Sequence, residues 1–381
     1  MTTVFICIDW FSPAYKAGGP VQSIANLVTQ FRRPDTCFKI LCSNTDLGGD
    51  LLQEPPFDTW VNFNAYTQVW YASKATQKIR VLKNEIERSA PDILFINGIF
   101  SWYFNIVPLL FCKIPRKIVS ARGMLHPAAL AQKPFKKKIY LWCWKILGLQ
   151  HRCRFHASNE DEKLFIQNIF GKQTTVFVAA NFPRVFSMQA TPSKKPGTLQ
   201  LVSVGLISPM KNYLRVLQEL THCTQNISYD IYGPVKDHGY WQACLLQVNQ
   251  LPLNIRVNYH GDIEPAQIAT ALLNAHVFIL PSKSENFGHA IYEALSAGKP
   301  VITSNGTPWM GLYNQKAGMN IAIEKDGELG DAIRFFAEMP DEEMDDWHKG
   351  AREYALNSID FDAIKKQYET MFGQPGGIAV V

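Results

Sequence analysis

Short runs of β-branched and aromatic residues alternate along the chain with longer stretches whose apolar positions recur every three or four residues. The first series of runs lies at 4–8 (VFICI), 38–42 (FKILC), 69–71 (VWY), 93–96 (ILFI), 117–120 (KIVS), 154–157 (RFHA) and 176–178 (VFV). A second series lies at 199–204 (LQLVSV), 228–231 (SYDI), 255–259 (IRVNY), 277–280 (VFIL) and 300–303 (PVIT). Runs this short and this apolar predict strands buried on both faces, with helices between most of them. Two consecutive β/α series predict an α/β protein with two doubly wound parallel sheets. The length of 381 residues agrees with two domains. Residues 191–197 (TPSKKPG) are polar and carry Pro and Gly, the composition of an interdomain linker. The expected division is 1–190, 198–355 and, over 356–381, a C-terminal helix packing back toward the N-terminal domain, with a tail. The last amphipathic pattern, 361–372, follows Asn357 and Ser358 as a cap, and 373–381 is expected to fray.

Composition narrows the class. Apolar residues make up 47% of the chain and charged residues 19%, which excludes a disordered, collagen-like or coiled-coil protein. The eight cysteines are scattered and form no C-x-x-C pair, as expected of buried thiols in a reducing compartment. The opening MTTVFICIDWF has no basic region, and Asp9 interrupts its apolar run, so it reads as a strand rather than a secretion signal. Residues 93–112 are nearly uncharged, but Asn97, Gly98, Ser101, Asn105 and Pro108 divide them into strand, turn and helix rather than a membrane span. Charge is uneven. Residues 1–185 hold 23 Lys and Arg against 12 Asp and Glu, a net of +11, whereas residues 186–381 hold 15 against 21, a net of −6. A basic first half points to an anionic partner.

Ligands of open α/β sheets bind beyond the carboxyl ends of the strands, so the strand ends carry the candidate chemistry. The segment 281–309, PSKSENFGHAIYEALSAGKPVITSNGTPW, follows one strand. A helix is expected from Ser284 or Glu285 and is stopped by Gly298 and Pro300. Glu285 and Glu293, eight residues apart, would then lie about 12 Å apart on nearly one side of it. The N–H groups of Asn286, Phe287 and Gly288 would stand at the helix head, where an anion binds, and Gly288 lets a phosphate approach the backbone. The same pattern also fits a capped amphipathic helix with two surface glutamates.

The string ENFGHAIYEALSAGKPV resembles the E-x7-E signature of retaining GT-B glycosyltransferases, specifically glycosyltransferase family 4, in its FG, EAL and G-x-P-V elements. The following Thr307-Pro308-Trp309 resembles a subgroup from bacterial surface-polysaccharide pathways. The resemblance implies a GT-B fold, with two Rossmann-like doubly wound domains facing across a cleft. It implies that Glu285 contacts the donor sugar, that Glu293 bonds the ribose hydroxyls, and that amides of Asn286, Phe287 and Gly288 hold the diphosphate. Residues 205–212, GLISPMKN, resemble the family's G-R-L-x-x-x-K-N loop. Gly205 and Lys211 match it; Leu206 stands at the Arg position and leaves one fixed cation instead of two. The turns 232–234 (YGP) and 260–263 (HGDI) also end strands as the family's do.

In the first half, Gly18 and Gly19 lie in a strand-to-helix loop without G-x-G-x-x-G, so a dinucleotide fingerprint is absent. They match a Gly-Gly loop that approaches the donor phosphates in GT-B enzymes. Residues 119–130 (VSARGMLHPAAL) resemble an RGM-L-x-P segment, in which Arg122 is expected to bind an acceptor or donor phosphate and His126 a hydroxyl. Residues 133–154 interleave seven Lys and Arg with aromatic and aliphatic residues, a pattern suited to an anionic membrane surface, though also to a half-buried helix with a solvated face. No nucleic-acid motif accompanies it.

The implied reaction is transfer of a hexosyl or N-acetylhexosaminyl group, with retention, from a UDP- or GDP-sugar to a saccharide hydroxyl. The acceptor is expected to be lipid-linked, on the inner face of the cytoplasmic membrane. No other cofactor and no metal is expected: the one D-x-D, at 360–362, sits at a helix start where Asp is an ordinary cap. The rivals are a noncatalytic nucleotide-sugar binder and a sugar-nucleotide epimerase.

Overall fold

A computed structural model describes residues 1–131, 133–188 and 192–373. Every one of the twelve apolar runs forms a strand, with ends moved by at most two residues. The chain divides into two compact units, Met1–Phe182 with the described part of 361–381, and Pro183–Asp360.

Unit 1 runs β1 (Thr2–Cys7), α1 (Gly19–Gln30), β2 (Thr36–Ser43), β3 (Trp60–Asn64), β4 (Thr67–Ala72), α2 (Ile79–Arg88) and β5 (Ile93–Asn97). A π-helical turn, Trp102–Ile106, leads into α3 (Val107–Phe111). Then come β6 (Lys117–Ser120), α4 (Pro127–Leu130), α5 (Pro134–Ile146), β7 (Arg154–Ala157), α6 (Glu160–Phe170) and β8 (Val176–Val178). The sheet order is β3-β4-β2-β1-β5-β6-β7-β8. Strands pair in parallel except β3, which lies antiparallel on β4 at the edge. All five residues of β5 are buried, as a central parallel strand requires. The nearly uncharged 93–112 stretch is therefore strand, turn and short helix, and among the described residues no helix is long and apolar enough to cross a membrane.

Unit 2 runs β9 (Thr198–Val204), α7 (Tyr213–Leu220), β10 (Asn226–Tyr232), α8 (His238–Val248), β11 (Ile255–Tyr259), α9 (Ile268–Leu273), β12 (Val277–Leu280), α10 (His289–Ser296), β13 (Val301–Ser304), β14 (Gly318–Ile321), α11 (Glu328–Glu338) and α12 (Asp341–Asn357). Its all-parallel order, β11-β10-β9-β12-β13-β14, is the Rossmann order, which reverses between β9 and β12.

The first crossing between units differs from the expected division. The chain enters unit 2 at Pro183, ahead of the polar stretch expected as a linker. Thr191 lies outside the described residues, and the rest of that stretch is docked on unit 2. Lys194 is buried, its Nζ donating to the carbonyls of Ala337 and Met339, and the Gly197 N–H donates to Ala337 O at 2.9 Å. The last helix, α13 (Phe361–Gly373), belongs to unit 1. Its Phe372 ring packs 5.8 Å from Phe31, 6.2 Å from Phe38 and 6.1 Å from Phe95, and Arg116 donates to the carbonyls of Met371 and Phe372. Burying Ile364, Tyr368, Met371 and Phe372 supplies about 1.5–3 kcal/mol each. Of the tail expected to fray, 373–381, Gly373 is the last residue of α13 and 374–381 lie outside the described residues.

Candidate functional site

In unit 2 the loops after β9 and β12 diverge at the point where strand order reverses, and each delivers one charged side chain. Lys211 follows β9. Glu285 follows β12. The Lys211 Nζ donates to Glu285 Oε1 in a close ion pair between side chains only 21% and 12% exposed. Backbone bonds fix the two loops together. The Lys283 N–H donates to Met210 O at 2.8 Å, and the Glu285 N–H to Gly306 O at 3.0 Å. Ser304 Oγ donates to Ser282 O, so the loop after β13 completes the frame.

Glycine spacing permits this crowding. A Cβ on Gly306 would run into the Lys283 carbonyl, and one on Gly233 would overlap the Gly205 carbonyl. Gly233 also has a φ of 137°, which side chains rarely adopt. Through it the β10 loop lies against the β9 loop: Gly205 N–H donates to Tyr232 O at 2.9 Å, and Gly233 N–H to Gly261 O at 2.7 Å. Gly233→Ala is expected to destabilise unit 2 by at least about 3 kcal/mol, measured by urea unfolding, because backbone rather than a flexible side chain must yield. A Cβ on Gly205 would stand 3.3 Å from Tyr213 Oη and 3.8 Å from Lys211 Cε, so its absence lets these side chains sit close to the loop.

The Glu285–Glu293 segment departs from the expected single helix. Glu285, Asn286 and Phe287 form a loop, and α10 starts only at His289. Gly288 is the reason. It sits at φ 78°, in the left-handed region, and no α-helix runs through that geometry. The two glutamates therefore do not share a helix side. Glu285 approaches Lys211, whereas Glu293 is on α10 and 2% exposed. Burial pushes the Glu293 carboxyl up to about 8, against the pull of Arg184. The head of α10, with Gly288 as its N-cap, follows directly on Glu285. A Cβ on Gly288 would stand 3.2 Å from both Ile291 Cδ1 and Trp309 Nε1. Trp309 Nε1 donates to Phe287 O at 2.7 Å, so the Thr-Pro-Trp element pins the turn that carries Asn286 and Phe287. Phe287, Tyr292 and Trp309 pack as an aromatic wall, Trp309 lying 5.3 Å from each of the other two rings.

At the next strand ends, Tyr232 stacks on His260 with ring centres 4.4 Å apart and 10° between planes. His260 Nε2 lies 2.7 Å from Asp230 Oδ1, which also accepts from Asn258. A cavity of about 400 Å³ lined by Gln200, Asn226, Arg256 and His276 lies at the opposite, amino-terminal ends of these strands, away from the loops.

Unit 1 holds the remaining candidates apart from this cluster in the chain's organisation. Gly18 (φ 66°) is the N-cap of α1, and Gly19 begins the helix; side-chain space is open at both. Asp46 holds their loop, accepting from the N–H groups of Tyr15 at 2.9 Å and Lys16 at 3.2 Å. Asp9, beyond β1, bonds Ser101, and burial raises its carboxyl above the usual range. Arg122 has φ 51° and is held by two amides. Its Nε donates to Asn97 Oδ1 at 2.6 Å and its Nη1 to Asn181 Oδ1 at 2.5 Å. Burial lowers the guanidinium pKa, with Tyr368 and Glu162 opposing that. His126 caps α4, its Nδ1 accepting from the Ala128 N–H at 3.1 Å, and its ring stands edge-on to Phe165 at 4.9 Å. Asn97, Asn181, Asp9 and Arg184 escape sequence reading because each is a lone polar residue whose partner is remote in the chain. Among the described residues no group of three His, Cys, Asp or Glu is placed to hold a metal.

Residues 187–354, almost all of unit 2, match the family model of glycosyl transferases group 1. Sucrose-phosphate synthase from Thermosynechococcus elongatus superposes with a TM-score of 0.75 at 14% identity, over 98% of this chain and 99% of that one. The chain has a GT-B fold. Anabaena HepE, solved with UDP and glucose, shares the GT-B fold at a TM-score of 0.70 and 15% identity, over 98% and 100% of the two chains. WaaG, a glycosyltransferase involved in lipopolysaccharide biosynthesis, has a TM-score of 0.66 at 14% identity, again over 98% and 100%. No curated protein matches the chain.

Proposed function

We propose that the chain is a retaining glycosyltransferase of family 4. It moves a hexosyl or N-acetylhexosaminyl group from a UDP- or GDP-sugar to a hydroxyl of a lipid-linked saccharide, on the cytoplasmic side of the membrane, in surface-polysaccharide synthesis. The observation that carries this is the Lys211–Glu285 pair at the switch point of the unit that matches glycosyl transferases group 1. A pair of opposite charges held by two loops can exchange one partner for a ligand: diphosphate oxygens take Lys211, and Glu285 turns to the sugar. The head of α10 adds backbone donors for the same anion. Leaving-group charge would thus be stabilised by Lys211 and by helix-head amides. The departing phosphate oxygen accepts the proton of the attacking hydroxyl on the same face, which retains configuration without a side-chain base. Glu293 takes the ribose hydroxyls, Gly205 lets the donor approach beside Lys211, and Gly18, Gly19, Arg122 and His126 serve phosphate and acceptor. The names of the superposed proteins fit: one holds UDP and glucose, another builds lipopolysaccharide.

The test is equilibrium binding of a panel of UDP-, GDP- and ADP-sugars in EDTA. One UDP- or GDP-sugar is expected to bind and to hydrolyse slowly without acceptor. Failure of every donor to bind would overturn the reading. A second reading, a noncatalytic nucleotide-sugar binder, is favoured by Leu206 where the family has Arg, since one fixed cation replaces two. Tight binding without turnover, even with membrane-lipid acceptors supplied, would select it.

A further inference from the structure

Helix α5 turns an apolar stripe outward. Its Leu141 and Trp144 are buried, and on that side Tyr140 packs 5.1 Å from Phe100 while Lys137 Nζ donates to Ala129 O at 2.6 Å. The opposite side carries Phe135, Ile139, Trp142 and Ile146, which are 75%, 48%, 63% and 62% exposed. Steps of four, three and four residues keep these four within about 60° of one another on the helix. Lys138 and Lys145 border one edge and Lys136 the other, all exposed. None of the 67 residues from 93 to 159 is acidic, and 11 are Lys or Arg.

Large apolar side chains lined up on a solvent face mark a surface that another phase or molecule covers. The flanking charge decides which. Two copies joined through this stripe would set like lysine rows against each other. Nucleic acid would meet the lysines but give Phe135, Ile139 and Ile146 nothing to enter. An anionic bilayer satisfies both, with the stripe at the acyl boundary and the lysines among the headgroups. We propose that α5 docks the protein on an anionic membrane by inserting Phe135, Ile139, Trp142 and Ile146. This rests on α5 alone and does not depend on the transferase reading.

Sedimentation of the full chain with vesicles tests it, comparing phosphatidylcholine alone with phosphatidylcholine mixed with phosphatidylglycerol. Wild type is expected to partition onto the mixed vesicles, less so as salt rises. Ile139→Ser with Trp142→Ser should lower the partition coefficient at least about tenfold, and Lys136→Gln with Lys138→Gln and Lys145→Gln should remove the preference for anionic lipid. All these side chains are exposed, so melting temperature and sugar-nucleotide binding should match wild type in both variants. No vesicle binding, or equal binding by the Ile139→Ser/Trp142→Ser variant, would overturn the proposal. So would a dimer that this variant dissolves, or capture of RNA in preference to vesicles.

Discussion

Lys211→Ala and Glu285→Ala are each expected to lower kcat/KM for the preferred donor by about 10²–10³-fold, the cost of removing one group aimed at developing charge. The two variants should differ in what they do to the resting protein. The pair is mostly shielded, so removing Lys211 leaves the Glu285 carboxylate, 12% exposed, beside the backbone of three strand-end loops without its cation. Removing Glu285 leaves an ammonium on a flexible stem that can reach water. Lys211→Ala should therefore melt lower than Glu285→Ala, and Lys211→Met with Glu285→Gln should recover most of the loss, because an unpaired buried charge costs more than an absent pair. Turnover should not recover in that double variant. Its loss would also be far from the sum of the single losses, since both residues act on one leaving group. Turnover and thermal melting measured on the same four proteins separate catalysis from folding. Activity near wild type in Glu285→Ala would remove the central element of the proposed site.

The strands were legible because each buried parallel strand must be apolar on both faces, and a run such as ILFI has no other economical place. Two strands were not. β3 (WVNFN) lies at an edge with half-exposed and exposed residues, so its pattern is mixed, and β14 (GMNI) opens on a glycine and carries an asparagine. Both depend on a neighbouring strand rather than on their own composition. The segment around Glu285 shows the other limit. ENFGHAIYEAL reads locally as one helix, yet the turn at Gly288 is imposed by Trp309 from beyond β13 and by the Glu285 N–H bond to Gly306. That tertiary frame moves Glu285 off the helix and onto Lys211, a contact spanning 74 residues of chain that no spacing rule contains. Arg122 is similar. The motif flags the arginine, but Asn97 and Asn181, which hold it, come from separate strand ends.

Glu293→Gln is expected to make the ligand-free protein more stable at neutral and alkaline pH while weakening nucleotide binding. In the folded chain, burial raises the Glu293 carboxyl to about 8, well above the 4.5 it has when exposed. Between these values the folded state holds a proton that the unfolded state has released, so raising pH through this window favours unfolding. Well below pH 4.5 the proton is bound in both states, and wild type and variant should melt alike. By pH 8 the penalty amounts to on the order of 4 kcal/mol. Glutamine is of similar size and stays neutral, so it escapes that penalty. For a unit of this size the gain corresponds to a rise of about 8–16 °C in melting temperature at pH 8. Arg184 opposes the shift, so Arg184→Met should raise the carboxyl further and extend the pH-dependent loss of stability to higher pH. In the proposed complex two ribose hydroxyls would donate to this buried carboxyl and lower the cost of its charged form. Loss of those charged hydrogen bonds should weaken nucleotide binding about 10–100-fold in Glu293→Gln. Melting curves from pH 4.5 to 8 and a UDP or GDP titration check both halves. A variant less stable than wild type at pH 8 would show that Glu293 is a satisfied structural anion, and the ribose assignment would fall with it.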